Sequence, residues 1–261
     1  MPLNIAQIDS FTDKPFGGNP AAVCLLPEAR EAGWMQFVAR EMNLSETAFL
    51  VRQSDGFQLR WFTPAVEVDL CGHATLASAH ELWEQGHLGP REQARFYTRS
   101  GLLTAERAGN WIEMDFPAKP EERTAAPEGL VEGLGAAPKY VGKNVFDYIV
   151  ELESEEAVRA LRPNFSLLEK IPVRGVIVTS RAADYDFVSR FFAPASGINE
   201  DPVTGSAHCC LGPFWRSRLN KTEFVAYQAS ARGGVVRVRL EGDRVRLSGQ
   251  AVTVFRGELL A

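Results

Sequence analysis

The sequence predicts an α+β chain made of two similar, sheet-rich halves. Three observations carry this: apolar residues alternate in many short segments, helical spacing occurs in a few, and one motif appears twice about half a chain apart. With 261 residues, the chain suits one large or two modest domains at roughly 150 residues each, and it is long enough for a dry core. Apolar residues make up 45% and charged residues 23%, which excludes a disordered or fibrous chain. Strands are expected where every second residue is apolar: Asn4–Phe11, Phe57–Phe62, Val141–Val150, Gly175–Thr179, Val235–Leu240 and Arg244–Leu247. Such segments read as a mostly antiparallel chain. Helical spacing predicts helices over Glu31–Met42, Ala74–Gly86, Glu155–Leu161, Tyr185–Phe192 and Ser206–Leu219. The aperiodic, proline-containing stretch Phe116–Pro127 reads as the linker between the halves.

The halves echo one another. Phe62-Thr-Pro-Ala65, a short polar stretch and Cys71-Gly-His-Ala-Thr-Leu-Ala77 reappear as Phe192-Ala-Pro-Ala195, a longer polar stretch and Thr204-Gly-Ser-Ala-His-Cys-Cys210. Each copy is Phe-x-Pro-Ala, an acidic loop, then Gly and a small or polar residue opening an Ala-rich helix. A duplicated domain would bring its two equivalent loops face to face across a cleft.

Charge and cysteine usage narrow the partners. Lys plus Arg number 28 and Asp plus Glu 33, so 28 − 33 = −5, which argues against broad binding of nucleic acid or anionic membrane. No apolar run approaches the roughly 20 residues of a membrane span, and the start has no basic region followed by an apolar stretch, so the expected compartment is the cytosol. The four cysteines, Cys24, Cys71, Cys209 and Cys210, form no Cys-x-x-Cys pair and are expected as free thiols. A zinc site drawn from Cys71, His73, His80, His208, Cys209 and Cys210 fails the usual ligand spacing, so no metal is expected. The loop Asp9–Val23 turns through Gly17-Gly-Asn-Pro20 and lacks both the Walker and the dinucleotide fingerprints, so no nucleotide cofactor is expected either. Asn19 reads either as a site residue or as part of a tight connection.

Several residues carry possible chemistry, each beside a plainer role. Gly72 and Gly205 open helices whose first N–H groups have no partner in the helix, and two such ends would clamp a carboxylate without Arg or Lys; alternatively they only permit tight turns. Glu46, in Asn43-Leu-Ser-Glu-Thr-Ala-Phe-Leu-Val51, stands at the mouth of an apolar strand, where partial desolvation favours its neutral form and suits it to pass protons both ways. The competing role is a capping box begun by Asn43 or Ser45. Asp201, in Glu200-Asp-Pro-Val-Thr-Gly-Ser206, reads as a turn former or as an acceptor for a substrate hydroxyl or ammonium. His73, near a helix N-terminus, is expected to be biased toward its neutral form. Cys71 reads as a thiolate acid/base, as a nucleophile or as a small buried apolar residue.

Taken together, Asp9-Ser-Phe-Thr12, Gly17-Gly-Asn-Pro-Ala-Ala-Val23, Met42-Asn-Leu-Ser-Glu-Thr-Ala-Phe49, Arg60-Trp-Phe-Thr-Pro64, Cys71-Gly-His-Ala-Thr75, Glu200-Asp-Pro-Val-Thr-Gly-Ser-Ala-His208 and Gln228-Ala-Ser-Ala-Arg-Gly-Gly234 make the chain resemble the PhzF-like isomerases of phenazine biosynthesis, within the diaminopimelate-epimerase-like superfamily. The resemblance spans nearly the whole chain. It implies two similar domains, each a β-barrel-like, mostly antiparallel sheet wrapped around a central helix, with residues 1–116 completed by a terminal strand over 249–261, a second domain over 117–248, and the active site in the cleft between them. It puts the catalytic glutamate on Glu46 and supporting residues on Ser45, Gly72, His73, Asp201, Gly205 and Ser206. The implied chemistry is a cofactor-free proton transfer within a small carboxylate-bearing substrate, and the implied assembly is a homodimer. The chain departs from the pattern at Cys71, where the phenazine enzyme has Asp. Related epimerases carry a catalytic Cys there, but the segment matching their second Cys reads Pro202-Val-Thr-Gly205. Two other readings stay open: an amino-acid epimerase or racemase using Glu46 and Cys71, and a non-catalytic acid-binding or scaffold protein.

Overall fold

The computed structural model describes residues 3–260 and divides into two compact units, one formed by residues up to Asp115 together with those from Ser248 onward, the other by Phe116–Leu247. In the first unit β1 (Leu3–Ser10), β2 (Asn19–Leu26), α1 (Ala32–Met42), β3 (Glu46–Gln53), β4 (Gly56–Phe62), β5 (Glu67–Val68), α2 (Gly72–Glu84), β6 (Ala94–Thr98), β7 (Gly101–Ala108) and β8 (Trp111–Pro117) follow in order. In the second come β9 (Glu122–Arg123), α3 (Leu130–Leu134), β10 (Tyr140–Lys143), β11 (Asp147–Glu151), α4 (Glu155–Ala160), α5 (Phe165–Leu168), β12 (Gly175–Arg181), β13 (Phe187–Ala193), β14 (Ile198–Asp201), α6 (Gly205–Leu219), β15 (Glu223–Gln228), β16 (Gly234–Glu241) and β17 (Arg244–Gly249). The last strand, β18 (Ala251–Leu259), pairs antiparallel with β1.

The internal echo is a repeat of connectivity. β1–β2 and β10–β11 are antiparallel hairpins. The next pairs, β2–β3 and β11–β12, are parallel across a helical connection. β3–β4 and β12–β13 are antiparallel, short strands β5 and β14 fold back on β4 and β13, and after α2 or α6 the chain returns parallel to β4 or β13 as β6 or β15. Each long helix lies inside its own sheet: α2 buries nine of its residues, including Ala74, Leu76 and Leu82, and α6 buries Ala207, Leu211, Phe214 and Trp215 among others. The mostly antiparallel, helix-wrapping sheet expected from the sequence is therefore present twice, with parallel pairs at fixed places.

Two separate cores hold the units. In the first, Ile5, Ala22, Cys24, Met35, Val38, Phe49 and Phe62 pack together, with Phe49 and Phe62 edge to face at 5.7 Å. In the second, Leu130, Val150, Val158, Leu168, Val178 and Phe192 form the cluster, and Phe187 stacks on Trp215 at 5.6 Å while the Trp215 indole donates to Thr179 Oγ1 at 3.0 Å. Full burial of such aromatic side chains is each worth roughly 1.5–3 kcal/mol. Cys24 lies wholly inside the first core, where burial pushes its thiol up to about 11.

Three expectations need correction. The helix expected over Tyr185–Phe192 is instead a bend followed by strand β13: all seven residues of β13 are buried, so the period-two signature of a half-exposed strand is absent and Phe187, Val188, Phe191 and Phe192 mimic helical spacing. Its one cation, Arg190, is carried inside by a fork to Glu200 at 2.7 and 2.9 Å and by the Leu161 carbonyl at 2.9 Å. Val141–Val150 is not one strand but the β10–β11 hairpin, broken where Asn144 Oδ1 accepts from the amides of Phe146 and Asp147 at 2.8 and 2.7 Å, an Asx turn inside an alternating run. The expected linker also contributes to sheet, since β8 runs to Pro117 and β9 pairs with β10.

The turn between β1 and β2 places Asn19. Asp9 Oδ2 accepts from the Phe16 amide at 2.7 Å, and Gly18 turns the chain back at φ +59°, with a Cβ there falling 2.0 Å from the Ser10 carbonyl oxygen. Only glycine meets both demands. Gly18→Ala is expected to destabilise the fold by about 1–3 kcal/mol, read as a lower urea midpoint; an unchanged midpoint would show that the turn relaxes freely.

Candidate active site

Parallel pairing brings the first unit's polar residues to one end of its sheet. β2 begins at Asn19, and β3 begins at Glu46, opposite Ala21. Helix α2, packed on β1, β2 and β3, begins with Gly72 and His73. The capping-box role for Asn43 or Ser45 does not hold, because Asn43 closes α1 in the left-handed region with its amide on Ala39 O and Glu46 opens a strand. Ser45 directly precedes that strand, partly buried.

Glu46 Oε2 lies 3.0 Å from His73 Nε2, both side chains nearly buried at 12% and 7% exposure. The two atoms form a buried ion pair, and neither has a further hydrogen-bond partner. On the other edge of the ring, His73 Nδ1 contacts the side-chain amide of Asn19 at 3.1 Å and Cys71 Sγ at 3.5 Å. The backbone is pinned as well: Ser10 Oγ donates to the His73 carbonyl at 2.8 Å, and Thr75 Oγ1 donates to the Cys71 carbonyl at 2.6 Å. Asn19, Glu46, Cys71, Gly72 and His73 thus share one constellation within this unit, in which Asn19 contacts His73 as well as starting β2.

Electrostatics correct the expectation of a neutral-biased His73. Burial opposes the imidazolium, but the Glu46 carboxylate 3.0 Å away holds the His73 pKa well above the ordinary value. A carboxylate at contact distance exceeds the partial charge of a helix end. Burial, reinforced by Glu46, pushes the Cys71 thiol up to about 11, so it is held as S–H and is no thiolate.

Among the described residues, Glu46, Cys71 and His73 are the one group of metal-ligating type close enough to share an ion, with ligand atoms within 4.8 Å of one another. The ring bridges the other two instead of converging with them: Nδ1 faces sulfur and Nε2 faces carboxylate. An ion on one nitrogen could not reach both partners without rearrangement, so the set fits a hydrogen-bonded relay better than a chelate.

The second unit sets its residues at the equivalent helix opening. Asp201 ends β14, and one of its oxygens accepts from Thr204 Oγ1. Gly205 and Ser206 begin α6. Fully buried Gln228 ties the turn together, accepting from the Thr204 amide at 2.9 Å and donating to the Asp201 carbonyl at 2.8 Å. Ser206 Oγ accepts from Arg174 at 3.0 Å. The individual reading of residues missed Thr204 as Asp201's partner and missed Arg174 altogether; Gln228, a polar residue at a core-facing position of an alternating strand, was the one available signal for the support of this turn. His208, inside α6, is neutral, its pKa lowered to about 4 by burial.

Among the described residues no helix is long and apolar enough to cross a membrane. A family model described as phenazine biosynthesis-like protein matches residues 8–257. An uncharacterized isomerase of Halalkalibacterium halodurans is 60% identical, with 100% of this chain and 99% of the relative covered. A phenazine biosynthesis-like domain-containing protein of Homo sapiens is 39% identical with both chains fully covered. The crystal structure of a PhzF-family phenazine biosynthesis protein from Enterococcus faecalis superposes with a TM-score of 0.96 at 39% identity over the whole of both chains.

Because the unfolded chain titrates His73 near 6.5 and the folded one higher, the imidazolium contributes stability that is complete below about pH 6.5 and lost as pH rises through the raised value. Nitrogen NMR of the ring is expected to show a midpoint above 6.5 that falls in Glu46→Gln; equal midpoints would remove the carboxylate as the cause. The matched model, the length of the shared alignment and the near-identical fold place the chain in the phenazine biosynthesis-like family, a family of isomerase type.

Proposed function

We propose that this protein is an isomerase that moves a proton within a small carboxylated metabolite, using Glu46 as the proton shuttle and no cofactor. One observation carries the reading: Glu46 Oε2 and His73 Nε2 form a buried ion pair at 3.0 Å, and neither atom has any further hydrogen-bond partner. Buried polar atoms ordinarily use their remaining bonding capacity, so a pair with spare acceptor capacity at one point marks where a substrate binds. A carboxylate there takes a proton from an acidic carbon and returns it to another, while the charged ring beside it steadies the anion that forms.

In this proposal His73 orients the substrate and holds Glu46, Asn19 and Cys71 keep His73 in place, and Ser45 lines the mouth of β3. Asp201 accepts from a polar substrate group, and the helix-opening amides at Gly72, Gly205 and Ser206 bind the carboxylate, an anion preference their unsatisfied N–H groups give them. The naming of relatives as isomerases supports the reaction class. The epimerase alternative, with Cys71 as the second base, is less well supported, because a thiol held near 11 can donate a proton but rarely abstracts one.

The test is deuterium uptake from heavy water into a panel of small carboxylic and amino acids. The native protein is expected to label a carbon-bound position in at least one, and Glu46→Gln to label it about 10²–10⁴-fold more slowly while keeping the native circular dichroism spectrum. Equal labelling rates would remove Glu46 from the mechanism. Label only at the centre that is deprotonated, with inversion there, would favour the epimerase.

A further inference from the structure

The connectivity repeat sets up a comparison of the two units position by position. In the first, Asn19 begins the second strand of the hairpin, Glu46 begins the next parallel strand, and His73 is the second residue of the buried helix. By strand register Asp147, opposite Gly175, corresponds to Ala21, opposite Glu46; Arg174 corresponds to Ser45, the residue before the parallel strand; and Ser206, second residue of α6, corresponds to His73. Arg174 touches both Asp147 and Ser206. Arg174 Nε donates to Asp147 Oδ1 at 2.8 Å, its Nη2 donates to Asp147 Oδ2, and its Nη1 donates to Ser206 Oγ at 3.0 Å. The second unit therefore places its own polar corner at the same end of its sheet: a carboxylate and an imidazole in the first unit, a carboxylate, a guanidinium and a hydroxyl in the second.

The fork is tightly held. Asp147 is 1% exposed; burial raises its pKa against the opposing pull of Arg174, so its charge depends on this partner. The guanidinium lies over the Phe146 ring at 5.0 Å and the Phe191 ring at 5.5 Å. Phe191 reaches this place because Gly175 has no Cβ, which would sit 2.4 Å from the ring. The Arg174 amide donates to the Phe146 carbonyl at 3.1 Å, and the Arg174 carbonyl accepts from Ser196 at 3.2 Å. A bidentate guanidinium with two rings near it and both backbone groups bonded is restrained, although the Arg174 side chain stays 36% exposed.

We propose that Arg174 is a positioning residue for the substrate carboxylate, acting through Ser206; this rests on the reading that the α6 opening binds that carboxylate. An oxygen that accepts from a guanidinium keeps its own O–H to donate, and that donor is polarised and fixed in direction. Next to the Gly205 and Ser206 amides it completes a donor set for a carboxylate, with Arg174 supplying the compensating charge behind it.

The experiment titrates nitrogen-labelled protein with sodium acetate, the smallest carboxylate, and follows the Gly205 and Ser206 amide resonances. The native protein is expected to show saturable shifts. Arg174→Gln and Ser206→Ala should each weaken acetate about 10- to 100-fold, and the double variant should be no weaker than either single one, since both remove the same donor. Arg174→Lys keeps the charge but lacks the fork, and should fall with Arg174→Gln. If Arg174→Gln leaves Asp147 buried without its partner and fails to fold, Asp147→Asn with Arg174→Gln removes both charges and should bind as weakly. Native affinity in Arg174→Lys or in a folded Gln variant, or losses that multiply in the double variant, would overturn the role of Arg174 while leaving the carboxylate reading intact. Absence of saturable shifts in the native protein, or native affinity in Ser206→Ala, would overturn that reading and this inference with it.

Discussion

The contact between the Glu46 carboxylate and the His73 imidazole is the constraint around which the first unit is organised. Removing two ionisable groups from water costs several kcal/mol each, and mutual attraction offsets this only when geometry and hydrogen bonds are good. Here the facing atoms are 3.0 Å apart and have no further hydrogen-bond partner. A buried ion pair is often no more stabilising than apolar residues of similar volume. The surrounding structure nevertheless fixes this pair in place, with Ser10 on the His73 carbonyl, Thr75 on the Cys71 carbonyl and Asn19 against the far edge of the ring.

How far the sequence revealed this depended on whether each residue's environment was local. β16 and β17 show alternation because one face is apolar and the other wetter. β13 does not, because both faces are covered and its polar Ser189 and Arg190 are buried among carbonyls and Glu200. Glu46 stood out as a lone carboxylate before an apolar run. Its partnership with His73, 27 residues later in sequence, arises from the parallel register of β2 and β3 and the packing of α2, which no local pattern encodes. The expected neutrality of His73 failed for the same reason: the helix end is visible in sequence, the neighbouring carboxylate is not.

Arg174 marks the other limit. It follows Ile171-Pro-Val173 in a stretch with no period, and an isolated arginine in a loop is ordinarily a solvated one. Only the parallel pairing of Asp147 with Gly175 brings it to a buried carboxylate, and only the start of α6 brings Ser206 to it. The repeated Phe-x-Pro-Ala and Gly-x-Ala signals located the two helix openings, but they carry the backbone part of the duplication and not the chemistry placed on it.

That division explains why a duplicated scaffold suits a proton-transfer enzyme. A buried helix inside a curved sheet offers, at its N-terminus, amides that bind an anion whatever the side chains are, so both copies can retain that function. The side chains at the adjoining strand starts then diverge without disturbing the frame. In one copy the polar corner became Glu46 and His73, a carboxylate beside an imidazole; in the other it became Asp147, Arg174 and Ser206, a carboxylate and a guanidinium beside a hydroxyl. Under the proposed function the first corner supplies the proton shuttle and the second the grip on a carboxylate, and each is built from the residues of its own unit.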